Sequence, residues 1–108
     1  MSVSSFPSIK MPAEAGTFPF LLAKVRDTDF TNDKYVLRAG QSVTENQLNG
    51  EIETAGLVGQ RVGEGRIKHD KNDRSIIVYS MPGPSHKITF DIIKTNYPDY
   101  RSVVWRDG

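Results

Sequence analysis

The chain has 108 residues, with 14 Lys and Arg against 13 Asp and Glu and a formal net charge of +1. That length suits one domain with a modest core, and the near-balance of charge argues against a partner held by bulk polyanion attraction. There is no cysteine, so disulfides, thiolate chemistry and zinc ribbons are excluded. The longest apolar run, residues 18–25 broken by Pro19 and Lys24, is far shorter than a membrane span. The first ten residues have neither a basic start nor an apolar stretch. We therefore expect no signal peptide, no membrane contact and a soluble cytoplasmic domain.

Taken in chain order, residues 1–15 mix Ser, Pro and Ala without periodicity and read as a flexible N-terminal arm. Phe18 to Val25 reads as a strand, with Pro19 suiting a strand start or an edge position. Asp27 to Asp33 is a turn-forming cluster, and Lys34 to Ala39 a second strand closed by Gly40. Thr44-Glu45-Asn46-Gln47 has the form of a capping box. Leu48, Ile52 and Ala55 recur at helical spacing after it, with Gly56 as a stop. Gly50 costs this helix about 1 kcal/mol relative to alanine. Leu57 to Lys68 reads as a strand whose glycines at 59, 63 and 65 predict a bulge or a close backbone approach.

Asp70 to Asp73 predicts a hairpin turn leading to Ser75–Tyr79, the clearest strand of the chain and expected to be central. Met81 to Pro84 is expected as loop. Ser85 suits the cap of a second helix with Ile88, Ile92 and Ile93 on one face, ended by Tyr97-Pro98-Asp99. Tyr100 to Trp105 is the last strand. The order β-β-α-β-β-α-β predicts an α/β fold, a single domain in which two helices pack on a mixed β-sheet.

Several residues carry chemistry. Arg66 lies between glycines, and a guanidinium offers a planar fork of donors matching phosphoryl oxygens. Gly65 lets a ligand approach the backbone. Arg38 can add a second cationic contact, or pair at the surface with a carboxylate. Ser80, Met81 and the following amides lie between a strand and a helix N-terminus, where anions collect, although Pro82 and Pro84 each remove a donor. His69 and His86 are the chain's two imidazoles, either of which can serve as a base. A histidine at a strand end or first helical turn is more often solvated surface. Tyr35, Tyr79, Tyr97, Tyr100 and Trp105 read as core or half-buried strand positions.

These residues resemble the phosphohistidine phosphatase, or Janus/Ocnus, family. That family carries a Gly-Gly-Gly-Arg-Ile-x-His run, a strand ending Val-Tyr-x-Tyr-Ser, a Gly-Pro turn with a histidine, and Lys-Tyr-Pro-Asp-Tyr with a tryptophan. The chain has Gly63-Glu64-Gly65-Arg66-Ile67-Lys68-His69, Val78-Tyr79-Ser80-Met81, Gly83-Pro84-Ser85-His86, then Asn96-Tyr97-Pro98-Asp99-Tyr100 and Trp105. The resemblance is close over residues 60–105 and loose over 17–40. It implies a small α/β sandwich over residues 16–108 that removes phosphate from phosphohistidine in proteins without a metal; we further expect a monomer with no cofactor. Its partner would be a phosphorylated protein or a phosphate-like anion.

Two of the family's groups are missing. Counting from Arg38, the place of the catalytic histidine falls on Asn46, which cannot take a proton near neutral pH, and that of the first-strand lysine falls near Pro19. Two readings follow: a protein-histidine phosphatase with a relocated base, or an inactive relative that binds phosphorylated proteins. A third reading, nucleic-acid binding through Arg61, Arg66, Lys68, Lys71 and Arg74, is set aside because Glu64, Asp70 and Asp73 interrupt the cluster.

Overall fold

Which face each strand residue occupies decides both the core and the site. A computed structural model describes residues 2–80 and 84–107, and the side chains of all of these except Pro84 and Ser85. The elements are β1 (Ile9–Lys10), β2 (Gly16–Arg26), β3 (Asp33–Ala39), α1 (Glu45–Thr54), β4 (Val58–Asp70), β5 (Ser75–Ser80), α2 (Pro84–Asn96) and β6 (Ser102–Asp107). The six strands form one sheet in the order β1-β3-β2-β4-β5-β6. The sheet is mixed: β2 runs antiparallel to β3 and β4, and β4 to β5, while the pairs β1/β3 and β5/β6 are parallel. The expected loop residues Met81 to Gly83, and the capping side chain of Ser85, lie outside the described residues.

Strand alternation sends side chains to two separate cores. On one face Leu21, Ala23, Val25 and Val36 pack against Leu48 and Ile52 of α1. On the other, Phe18, Phe20, Leu22, Leu37, Ile67, Ile76 and Val78 pack with Ile93 of α2. Each fully buried Leu or Ile contributes about 1.5–3 kcal/mol relative to exposure. The α1 face is not covered along its whole width. Over β4, β5 and β6 it leaves Arg66 and Lys68 exposed, and Ile77 belongs to neither core.

Half of the expected capping box forms: Thr44 Oγ1 accepts from the Gln47 amide at 3.1 Å, while no return bond from the Gln47 side chain is made among the described residues. At the other end Gly56 takes a left-handed φ of +74°, and its amide closes onto the Glu53 carbonyl at 2.9 Å. This is the chain reversal that favours glycine past a helix end. The expected bulge in β4 falls at Val62, skipped between the pairs Leu22↔Gly63 and Ala23↔Arg61.

Three expectations differ from the structure. The first fifteen residues are not a loose arm: Val3 and Phe6 are buried in the α1-side core, and β1 pairs with β3. Too few apolar residues stand there to show a period, yet together they cover the β3 edge of the sheet. Strand β5 has neighbours on both sides, but β2 and β4 are the central pair. Pro19 lies in an interior strand rather than at an edge. Its carbonyl accepts from Gly40 N–H at 3.0 Å, so its missing N–H would point the same way, past the end of the β3 ladder at Ala39. The proline is tolerated because no ladder partner is lost.

Candidate functional site

The register across β4 and β5 sorts the candidate residues by face. Ile67 opposes Val78, and both lie in the α2-side core. Gly65, His69 and Ser80 share their face, since they lie an even number of residues away; Arg66 and Tyr79, which oppose each other, point to the α1 side.

His69 is 3% exposed. Its Nδ1 lies 3.1 Å from the Pro12 carbonyl, which can only accept, so Nδ1 carries the proton. That leaves Nε2 to accept from the Tyr100 hydroxyl, which burial, and then the charge of Asp70, pushes above its ordinary value and so keeps protonated. The imidazole ties the N-terminal segment to the turn after α2. His86 stacks on Trp105 with ring centroids 4.2 Å apart, and Trp105 Nε1 donates to Ser80 Oγ at 2.9 Å. Both imidazoles and the Ser80 hydroxyl therefore stand across the sheet from Arg66. The pleat sets them on the face opposite Arg66: positions 66 and 69 are an odd number apart on one strand.

Gly65 is tightly packed on the same side as His69. A Cβ built there would run into the Tyr79 carbonyl and lie 2.7 Å from the Phe20 ring. Its small size serves close packing on the α2 side. Met81 lies outside the described residues.

Arg38 is a cation of the fold. It is 4% exposed, and its Nε and NH2 donate to the two Glu51 carboxylate oxygens at 2.9 and 2.8 Å. Its remaining donors reach the Leu37 carbonyl, at 2.9 Å, and the Pro7 carbonyl, also at 2.9 Å. The guanidinium lies 5.1 Å over the Phe6 ring. Lys10 adds a contact to Glu51 at 3.0 Å. Arg38, and Lys10 after it, hold the Glu51 carboxyl down at about 2 against the opposing effect of burial. A cavity of about 190 Å³ beneath α1 is lined by this pair together with Lys10, Thr44 and Gln47.

Arg66 has the opposite surroundings. It is exposed on β4, and its guanidinium lies 5.9 Å from the centroid of the Tyr79 ring. Among the described residues no carboxylate pairs with it. Glu64, the carboxylate nearest along the strand face, is held by Arg61 at 3.2 Å. Arg61 also lies 3.7 Å from Glu45 in the first turn of α1. That contact sets the helix N-terminus, with exposed Asn46, beside the Arg61 end of β4. Pro19 is Arg66's partner on β2 and brings no charge. Past Tyr79, the next residue in the row is Arg106 on β6, exposed and likewise without a carboxylate partner among the described residues.

Sequence reasoning missed Arg106 because β5 and β6 pair in parallel across a helical crossover, and no local signal sets that register. Tyr79 was legible as a half-buried strand residue, but not as the floor beneath Arg66. The arrangement can hold an anion against guanidinium groups on an open sheet face. The face carries no imidazole. Among the described residues no group of three His, Cys, Asp or Glu side chains is placed to hold a metal ion, and no helix is long and apolar enough to cross a membrane.

The Janus/Ocnus family model matches residues 3–101. The 14 kDa phosphohistidine phosphatase of Sus scrofa is 36% identical over 66 residues, covering 57% of this chain and 52% of that protein. The protein of the same name from Homo sapiens is 34% identical over 67 residues, covering 58% and 54%. The chain thus spans about half the length of the curated relatives it matches.

Proposed function

The chain belongs to the Janus/Ocnus family, and on that premise we propose that it recognises phosphohistidine in partner proteins, with Arg66 holding the phosphoryl oxygens. The observation that carries this is the state of Arg66: exposed, set over Tyr79 and free of any carboxylate among the described residues. A guanidinium in that state offers its fork of donors to an incoming phosphoryl group without first breaking an ion pair. Recognition rather than turnover is the primary reading. Both imidazoles are engaged on the far side of the sheet, and Asn46, in the first turn of α1, can orient a water or a phosphoryl oxygen but cannot take its proton.

Hydrolysis is the second reading, favoured by the name of the two relatives, phosphohistidine phosphatase. In it, water attacks the phosphorus, the P–N bond breaks, imidazole leaves with a proton and inorganic phosphate is released. Positioning and charge stabilisation by Arg66 would supply the catalysis.

The test follows binding and phosphate release together, using a phosphohistidine peptide with wild-type protein and Arg66→Ala. Binding that requires Arg66, with release no faster than in buffer, supports recognition. Release that disappears in Arg66→Ala establishes the hydrolase. A wild-type protein that neither binds nor hydrolyses the peptide sinks both readings.

A further inference from the structure

Arg66, Tyr79 and Arg106 stand in one row across three neighbouring strands, because Arg66 opposes Tyr79 and Tyr79 opposes Arg106. All three side chains point to the face that α1 leaves bare. We infer that Arg106 is the second guanidinium of the phosphoryl site, in the role the sequence suggested for Arg38. The inference rests on the reading of Arg66 given above.

Geometry and charge support it. With strands about 4.8 Å apart, the Arg66 and Arg106 backbones stand about 10 Å from each other across Tyr79. Two extended arginine side chains span that distance. Arg66 already leans over the Tyr79 ring, which directs it toward Arg106. The next row of the same face is Lys68, Ile77 and Val104, so a third cation and an apolar floor continue the surface. Ile77 and Val104 belong to neither core cluster and are at least partly open to solvent.

Of the carboxylates on this strand face, one is paired with a cation and one is not. Glu64 is held by Arg61, and Asp70, at the hairpin end, accepts the Asp73 amide. Such a surface, on which Arg66, Lys68 and Arg106 outnumber the unpaired Asp70, is complementary to a dianionic phosphoryl group on a protein side chain. The oxygens would lie between the two guanidiniums, and the segment bearing them would rest on Ile77 and Val104.

The experiment is a binding series with a peptide carrying a hydrolysis-resistant phosphonate analogue of phosphohistidine, and with inorganic phosphate in parallel. Wild type is compared with Arg66→Ala, Arg106→Ala, the double variant, and Lys71→Ala as a charge control on the β4–β5 hairpin. We expect Arg106→Ala to weaken peptide binding at least tenfold and Lys71→Ala less than twofold. The double variant should lose less than the product of the single losses, since both side chains hold one group. Parallel losses for inorganic phosphate place the clamp on the phosphoryl group, whereas peptide-only losses place Arg106 on the peptide and overturn the two-guanidinium clamp. An Arg106→Ala variant that binds as wild type, with Arg66→Ala impaired, overturns this inference and leaves the proposed function standing. Absence of wild-type binding removes both.

Discussion

Arg38 and Arg66 point to the same face of one sheet, on strands separated only by β2, and each lies over an aromatic ring, but they differ in burial and in counter-charge. Arg38 lies under α1, so it is stripped of water and held by Glu51 from that helix and by two carbonyls. Arg66 lies where no helix covers the sheet, and it has no carboxylate partner among the described residues. The contrast separates two uses of one residue type. A buried guanidinium needs its counter-charge from the fold itself, whereas an exposed one keeps its donors for a ligand. For an arginine beside a glycine or at a strand end, the layer above it decides between the two.

The contrast is most directly broken by removing Glu51. We expect Glu51→Ala to lower stability by about 3 kcal/mol, because it strands a buried charge; a urea midpoint corresponding to less than 1 kcal/mol would erase the distinction. The same pair should respond to acid. The Glu51 carboxyl sits at about 2 in the folded chain against an ordinary value of 4.5, because of Arg38 first and Lys10 after it. A value lowered by folding means that the stabilisation is complete above about pH 4.5 and is lost as pH falls from there toward 2. The exposed Asp27 carboxyl, beside Asp29 and accepting from Asn32 and Thr31, is also depressed. Urea midpoints from pH 6 to pH 3 for wild type and Glu51→Gln therefore isolate the Glu51 share, and identical slopes would contradict it.

A smaller effect is expected at the helix that covers Arg38. Thr44→Ala removes the cap on the Gln47 amide and should cost about 1 kcal/mol by thermal or urea unfolding. The smallest effect sharpens the contrast from the other side. Arg66→Ala should leave stability within about 0.5 kcal/mol of wild type while weakening phosphohistidine-peptide binding at least tenfold. A large stability loss there would make Arg66 a structural residue like Arg38.

Much of the fold was legible because its signals are local. The Thr44 cap, the Gly56 stop, the turn after Asp70 and the β-branched run at Ser75–Tyr79 each depend on a few adjacent residues. The N-terminal segment was misread because Val3 and Phe6 find their partners only when the sheet and α1 exist. The site was legible in its residue types and not in its arrangement. His69, two residues past Ile67, reads in sequence as a neighbour of Arg66; the pleat places it on the opposite face, with Tyr100 and Pro12.

By itself the sequence determined the class of fold, the ends of most elements, the family resemblance and Arg66 as a candidate cation, since propensity, capping and motif spacing are properties of neighbouring residues. Only the tertiary structure decided that Arg38 is buried against Glu51, that both histidines are engaged across the sheet, and that Arg106 stands level with Arg66. Those outcomes depend on which face each strand turns toward which helix and on the register of strands far apart in the chain. Long-range packing sets both.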